Sequence, residues 1–124
     1  MLKYFAVWLD HNQARLFEVD PEGLHSEVVK AHPHPKHGGH RVRQNDHAEG
    51  DVHFFADVAH ALLPADQVLV VGPGTAKLQF MRWLHVHAAK TEAKVVAIES
   101  ADHPTDGQMF AYAKRYFHTD IQPE

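Results

Sequence analysis

A chain of 124 residues with 44% hydrophobic and 23% charged side chains is ordinary globular material, long enough for one core and too short for two. Its longest apolar runs, Val68 to Val71 and Val95 to Ile98, are far too short to span a bilayer, and the absence of cysteine excludes a disulfide framework. The formal net charge of −4 at pH 7 excludes bulk attraction to nucleic acid, so any such contact must come from a local basic cluster.

Residues 3–9 and 13–19 are rich in aromatic and β-branched types and flank Asp10-His11-Asn12, the pattern of a β-hairpin with Trp8 buried in its first strand. Asp20-Pro21-Glu22-Gly23 is the next turn, and Leu24 to Ala31 forms a third strand that completes an antiparallel meander. Residues 31–50 then show no apolar periodicity, and a mobile loop is expected there, because long structureless segments are usually functional or disordered. Helical spacing begins at Asp51, with Val52, Phe55, Val58, Ala59 and Leu62 on one face and Pro64 as the stop.

Gln67 to Val71 reads as a short buried strand ending at Gly72-Pro73-Gly74. Thr75 is placed to cap a helix whose Phe80, Trp83, Leu84 and Ala88 face the core. A second buried strand is expected over Lys94 to Glu99. The last helix starts from a Thr105 cap, with Met109, Phe110, Ala113, Tyr116 and Phe117 as its apolar stripe.

This order, β-β-β-loop-α-β-α-β-α, predicts a single α/β domain over residues 1–124. It is a ribonuclease-H-like mixed five-stranded sheet, a three-strand antiparallel meander plus two parallel strands, with three helices. Three strands then end on one edge, where ligands of open α/β sheets bind, which makes Asp10, His11, Asp102 and His103 candidate ligand-edge residues.

The 31–50 segment is chemically biased. Between Val28 and Asn45 there is no Asp or Glu, yet Lys30, Lys36, Arg41 and Arg43 lie there with His32, His34, His37 and His40. It is a cationic arm whose charge grows as pH falls, and Lys36, His37, Gly38, Gly39, His40, Arg41 and Arg43 are its candidate RNA contacts. Gly72, Gly74 and Thr75 open a helix and offer backbone N–H groups to a phosphate, with Lys77 close by; a plain strand-to-helix turn is the alternative, since the P-loop ending is missing.

The segments Val7-Trp8-Leu9-Asp10-His11, Val70-Val71-Gly72-Pro73-Gly74-Thr75-Ala76-Lys77 and Asp102-His103-Pro104-Thr105-Asp106-Gly107-Gln108, with Ala111 to Phe117 after them, resemble a bacterial family of small translational machinery proteins. That family is similar to the central domain of archaeal and eukaryotic class-I release factors and of the ribosome-rescue factor Pelota. In release factors the loop after the third strand carries Gly-Gly-Gln, the tip that promotes peptidyl-tRNA hydrolysis. Here the comparable loop reads Lys36-His37-Gly38-Gly39-His40-Arg41-Val42-Arg43-Gln44, with histidine where the glutamine stands. Pelota-like proteins lack the hydrolytic tip altogether, so the resemblance implies ribosome or tRNA binding without chemistry.

Other constellations have plain explanations beside sharper ones. His53, Asp57 and His60 share a helix face at i, i+4 and i+7 and are weak metal candidates, but without cysteine or an HExxH pattern solvated histidines are the preferred reading. A nuclease needs several carboxylates around two divalent ions, whereas Asp10 reads as a turn residue accepting backbone hydrogen bonds. Thr105 and Gln108 have the spacing of a capping box.

The sequence therefore leads to a non-catalytic, translation-associated protein that binds the ribosome, rRNA or tRNA through its cationic loop, with no cofactor and no membrane partner. The first residues, Met1 to Trp8, lack the zones of a signal peptide, and a cytoplasmic location is expected. The alternatives are a diverged peptidyl-tRNA hydrolase, a metal-dependent nuclease and a histidine-rich metal-binding module.

Overall fold

The computed structural model describes residues 2–20, 23–31 and 44–117. Its elements in chain order are β1 (Tyr4–Leu9), β2 (Gln13–Asp20), β3 (Gly23–Lys30), α1 (Gln44–Ala61), β4 (Gln67–Gly72), α2 (Ala76–His87), α3 (Ala89–Glu92), β5 (Val95–Ser100) and α4 (Asp106–Phe117). The aromatic and β-branched runs pair into one sheet in the order β3-β2-β1-β4-β5. β1, β2 and β3 form the antiparallel meander, with Val7 opposite Leu16, and β4 and β5 run parallel to β1, with Val7 opposite Val70. The expected mixed sheet is therefore the one observed.

Strand alternation sends successive side chains to opposite faces, and each face has its own core. On one, Phe5, Val7, Leu9, Leu16, Val68 and Val70 pack against Phe54 and Val58 of α1, Leu62 just after it, and Phe80 and Leu84 of α2. On the other, Ala6, Trp8, Phe17, Val19, Leu69 and Val71 pack against Met109 and Ala113 of α4. Burying both faces explains why β1 and β4 read as near-continuous apolar runs. At β1 and β4 it leaves the strand ends, rather than the covered faces, open to a ligand.

The elements depart from the sequence expectation in three places. α1 starts at Gln44, seven residues ahead of the expected Asp51, so residues 44–50 are helical rather than part of a mobile loop. That stretch has no apolar period in the sequence to announce a helix. The expectation of mobility for 32–43 lies outside the described residues. A short fourth helix, α3, follows α2 after a break at Ala88, whose φ of −147° and ψ of 60° are not helical. Finally, β5 lies at the sheet margin and is not fully buried: Val96 and Ile98 are exposed, and a bulge interrupts its pairing with β4 near Val68 and Leu69.

Candidate functional site

The carboxyl ends of β1, β4 and β5 meet on one edge, as the crossover rule requires. The Gly72 carbonyl accepts the Ala101 N–H at 3.1 Å, joining the ends of β4 and β5, and a Cβ at Gly72 would collide with the Leu9 carbonyl oxygen of β1. On this edge Asp10 accepts hydrogen bonds from the backbone N–H groups of Asn12 and Gln13 at 2.8 and 3.0 Å. It is the turn residue expected. Its second carboxylate oxygen lies 4.0 Å from Nε2 of His103, whose side chain is 72% exposed. His11 Nε2 stands 3.1 Å from Oε1 of Gln79 on α2. The four ligand-edge candidates therefore share one margin, and Asp102 sits there as an exposed residue between β5 and α4 whose carbonyl accepts the Trp8 indole N–H at 2.9 Å.

The segment after β5 is fastened by a residue that sequence reading did not single out. Arg15, on β2, donates to the Pro104 carbonyl at 2.8 Å, pairs with Asp106 at 2.6 Å, and lies 4.8 Å from the centre of the Trp8 ring. His103 lies tilted beside the same indole, 5.0 Å from Trp8 between ring centres. Thr105 and Gln108 form the reciprocal capping box read from their spacing, at 2.9 and 3.1 Å. The Asp102 to Gln108 segment is thus occupied in holding α4 against the sheet. No sequence period links residue 15 to residue 106, so only the fold reveals the clamp.

At the start of α2, Thr75 occupies the cap position but makes no side-chain cap hydrogen bond. Lys77 is only 7% exposed and its ammonium folds back to donate to the Gly74 carbonyl at 2.5 Å. Its charge satisfies a backbone acceptor instead of facing solvent, which removes it from the candidate phosphate contacts. Gly74 stands in open space, whereas Gly72 is locked against Leu9. On α4, burial and then Glu99 push the Tyr112 hydroxyl above its ordinary pKa.

The cationic residues Lys36, His37, Gly38, Gly39, His40, Arg41 and Arg43 lie outside the described residues. The root of their segment does not: the Ala31 N–H donates to the Asn12 carbonyl at 2.9 Å. The arm therefore leaves the sheet beside Asp10 and His11, on the edge where the strands end. His53, Asp57 and His60 are exposed on the outer side of α1, and among the described residues no group of three or more potential ligands is placed to hold a metal ion. No helix among these residues is long and apolar enough to cross a membrane.

No family model matches this sequence, and no curated protein matches it. Solved structures do match the fold. Pelota from Archaeoglobus fulgidus superposes with a TM-score of 0.65 and 15% identity over 91% of this chain and 31% of its own. An archaeal translation termination factor gives 0.62 and 14% over 95% and 39%. Pelota from Thermoplasma acidophilum gives 0.60 and 21% over 90% and 31%. At these identities the likeness is one of fold, and the chain spans between about a third and two fifths of the length of the structures it matches.

Proposed function

We propose that this chain belongs with the small bacterial translational machinery proteins and binds the translation apparatus, through rRNA or tRNA, without catalysing a reaction. The observation that carries this is the uninterrupted positive charge of Lys30, Lys36, Arg41 and Arg43, on a chain of net charge −4, rooted at Asn12 on the carboxyl edge of the sheet. Basic side chains on such an arm neutralise phosphates, and binding gains from the counterions they release. The turn of Gly72, Gly74 and Thr75 opens on the same edge and supplies backbone donors to a neighbouring phosphate. The likeness to Pelota and to a termination factor supports a place in translation and a cytoplasmic location.

The side chains of Asp10 and Thr105 each have structural work at this edge, which favours binding over turnover. The test is capture of the protein from lysate at low and high salt, probed for rRNA and tRNA. Enrichment of either at low salt and its loss at high salt is expected, and capture of neither contradicts the proposal. A companion substitution, His40→Gln, restores the Gly-Gly-Gln tripeptide. Hydrolysis of peptidyl-tRNA confined to that variant would mark a diverged release loop, and hydrolysis by the wild type would overturn the non-catalytic reading.

A further inference from the structure

The sheet has two margins, β3 and β5, and they differ in what guards them. An unpaired strand edge invites a further strand, and proteins usually blunt it with charged side chains. β3 carries exposed His25, Glu27 and Lys30. β5 carries no charge from Val95 to Ile98, and its Val96 and Ile98 are 44% and 40% exposed. Its main chain is open as well. The Lys94 carbonyl accepts the Val68 N–H at 2.9 Å and the Ala101 N–H donates to the Gly72 carbonyl at 3.1 Å, so both residues turn toward β4. Strand alternation then turns the main-chain groups of Val95, Ile98 and Ser100 away from β4, and among the described residues no strand pairs with them.

The charges at the two ends of this edge select what fits it. Lys94 stands just before β5 and Glu99 near its end. When two copies pair antiparallel about a two-fold axis centred between Val96 and Ala97, Lys94 faces Glu99 of the second copy and Val95 faces Ile98, and symmetry repeats both pairs. A parallel pairing in register would instead set lysine against lysine and glutamate against glutamate. The same axis brings the bulge of one copy level with that of the other, since the irregularity falls between Val95 and Ala97. Val95 and Ala97 already pack against the cores on opposite faces, so a strand added here continues both. The hydrogen bond of Lys94 to the Leu63 carbonyl, 3.2 Å long and exposed, leaves the ammonium further protons to donate. Among the described residues no ion pair engages Glu99.

We propose that this chain forms a two-fold dimer in which the β5 strands of two copies pair antiparallel, with Lys94 of each against Glu99 of the other. The surface is separate from the cationic arm and does not rest on the RNA-binding reading. The test is sedimentation of the full chain over a concentration series, with circular dichroism to confirm folding. Wild type is expected to pass from monomer to dimer. Lys94→Glu and Glu99→Lys are each expected to weaken the dimer about tenfold, because each turns both symmetry-related pairs into like charges. Mixing the two single variants restores opposite charges at both positions of a mixed dimer, and association near that of wild type is expected. The double variant is expected to recover in the same way.

Ile98→Lys, at an exposed position, places like charges on the apolar edge and is expected to leave the chain folded and monomeric. A wild type that stays monomeric at every concentration would overturn the proposal, as would assembly that grows beyond the dimer. Single variants that dimerise as tightly as wild type, or a mixture no tighter than either variant alone, would rule out this antiparallel register.

Discussion

Arg15 on β2 and Asp106 at the start of α4 meet at 2.6 Å across a chain separation of 91 residues, and the same guanidinium reaches the Pro104 carbonyl and the face of Trp8. Arg15 is largely buried and Asp106 half-exposed, so the packing and the backbone hydrogen bond outweigh the ion pair. Arg15→Met is expected to lower stability by about 1–3 kcal/mol, because the part-buried Pro104 carbonyl loses its donor. Asp106→Asn is expected to cost about 1 kcal/mol or less. Urea denaturation of the two variants checks the order, and an equal loss in both would contradict it.

The two glycines around Pro73 make opposite demands. Gly72→Ala would drive a methyl into the Leu9 carbonyl, so a loss of about 3 kcal/mol is expected, at the upper end of overpacking costs. Gly74→Ala meets nothing within 4 Å and is expected to stay within about 0.5 kcal/mol of wild type. Thermal melts of both variants decide whether the strand-to-helix turn is built around one glycine or two.

Helix caps give a similar contrast. Thr105→Ala removes the hydroxyl that accepts the Gln108 N–H, and a loss of about 1 kcal/mol is expected. Thr75→Ala removes no cap hydrogen bond and is expected to change stability by less than half as much. Denaturant midpoints for the pair test this directly.

These contrasts mark what the sequence makes legible. The sheet order follows from the strand types and the crossover rule, and the Thr105–Gln108 box from a spacing of three, because both are set by local pattern. The helical turns of residues 44–50 have no apolar period to reveal them, and α3 is too short to show one. Lys77 reads as a phosphate ligand because sequence places it in the first turn of a helix; its rotamer, which returns the ammonium to Gly74, depends on packing. Arg15 and Gln79 gain their meaning from partners 91 and 68 residues away. The arm, in contrast, is visible only as charge, and its role rests on chemistry that titrations can measure.

Exposure of His53 and His60 on α1 leads to a prediction about metal. Replacing both with alanine is expected to leave stability within about 0.5 kcal/mol and calorimetric zinc titrations unchanged. A drop in melting temperature that zinc had prevented in the wild type would revive the metal-binding module.

The most direct test of the proposed function is ribosome binding by Arg41→Ala with Arg43→Ala, followed by co-sedimentation across a salt series. With two phosphate contacts removed, weaker binding and a slope of log affinity against log salt flatter by about 1.4–1.8 are expected. If the double variant bound ribosomes as tightly as wild type at every salt concentration, the cationic arm would not be the element that holds this protein to the translation apparatus.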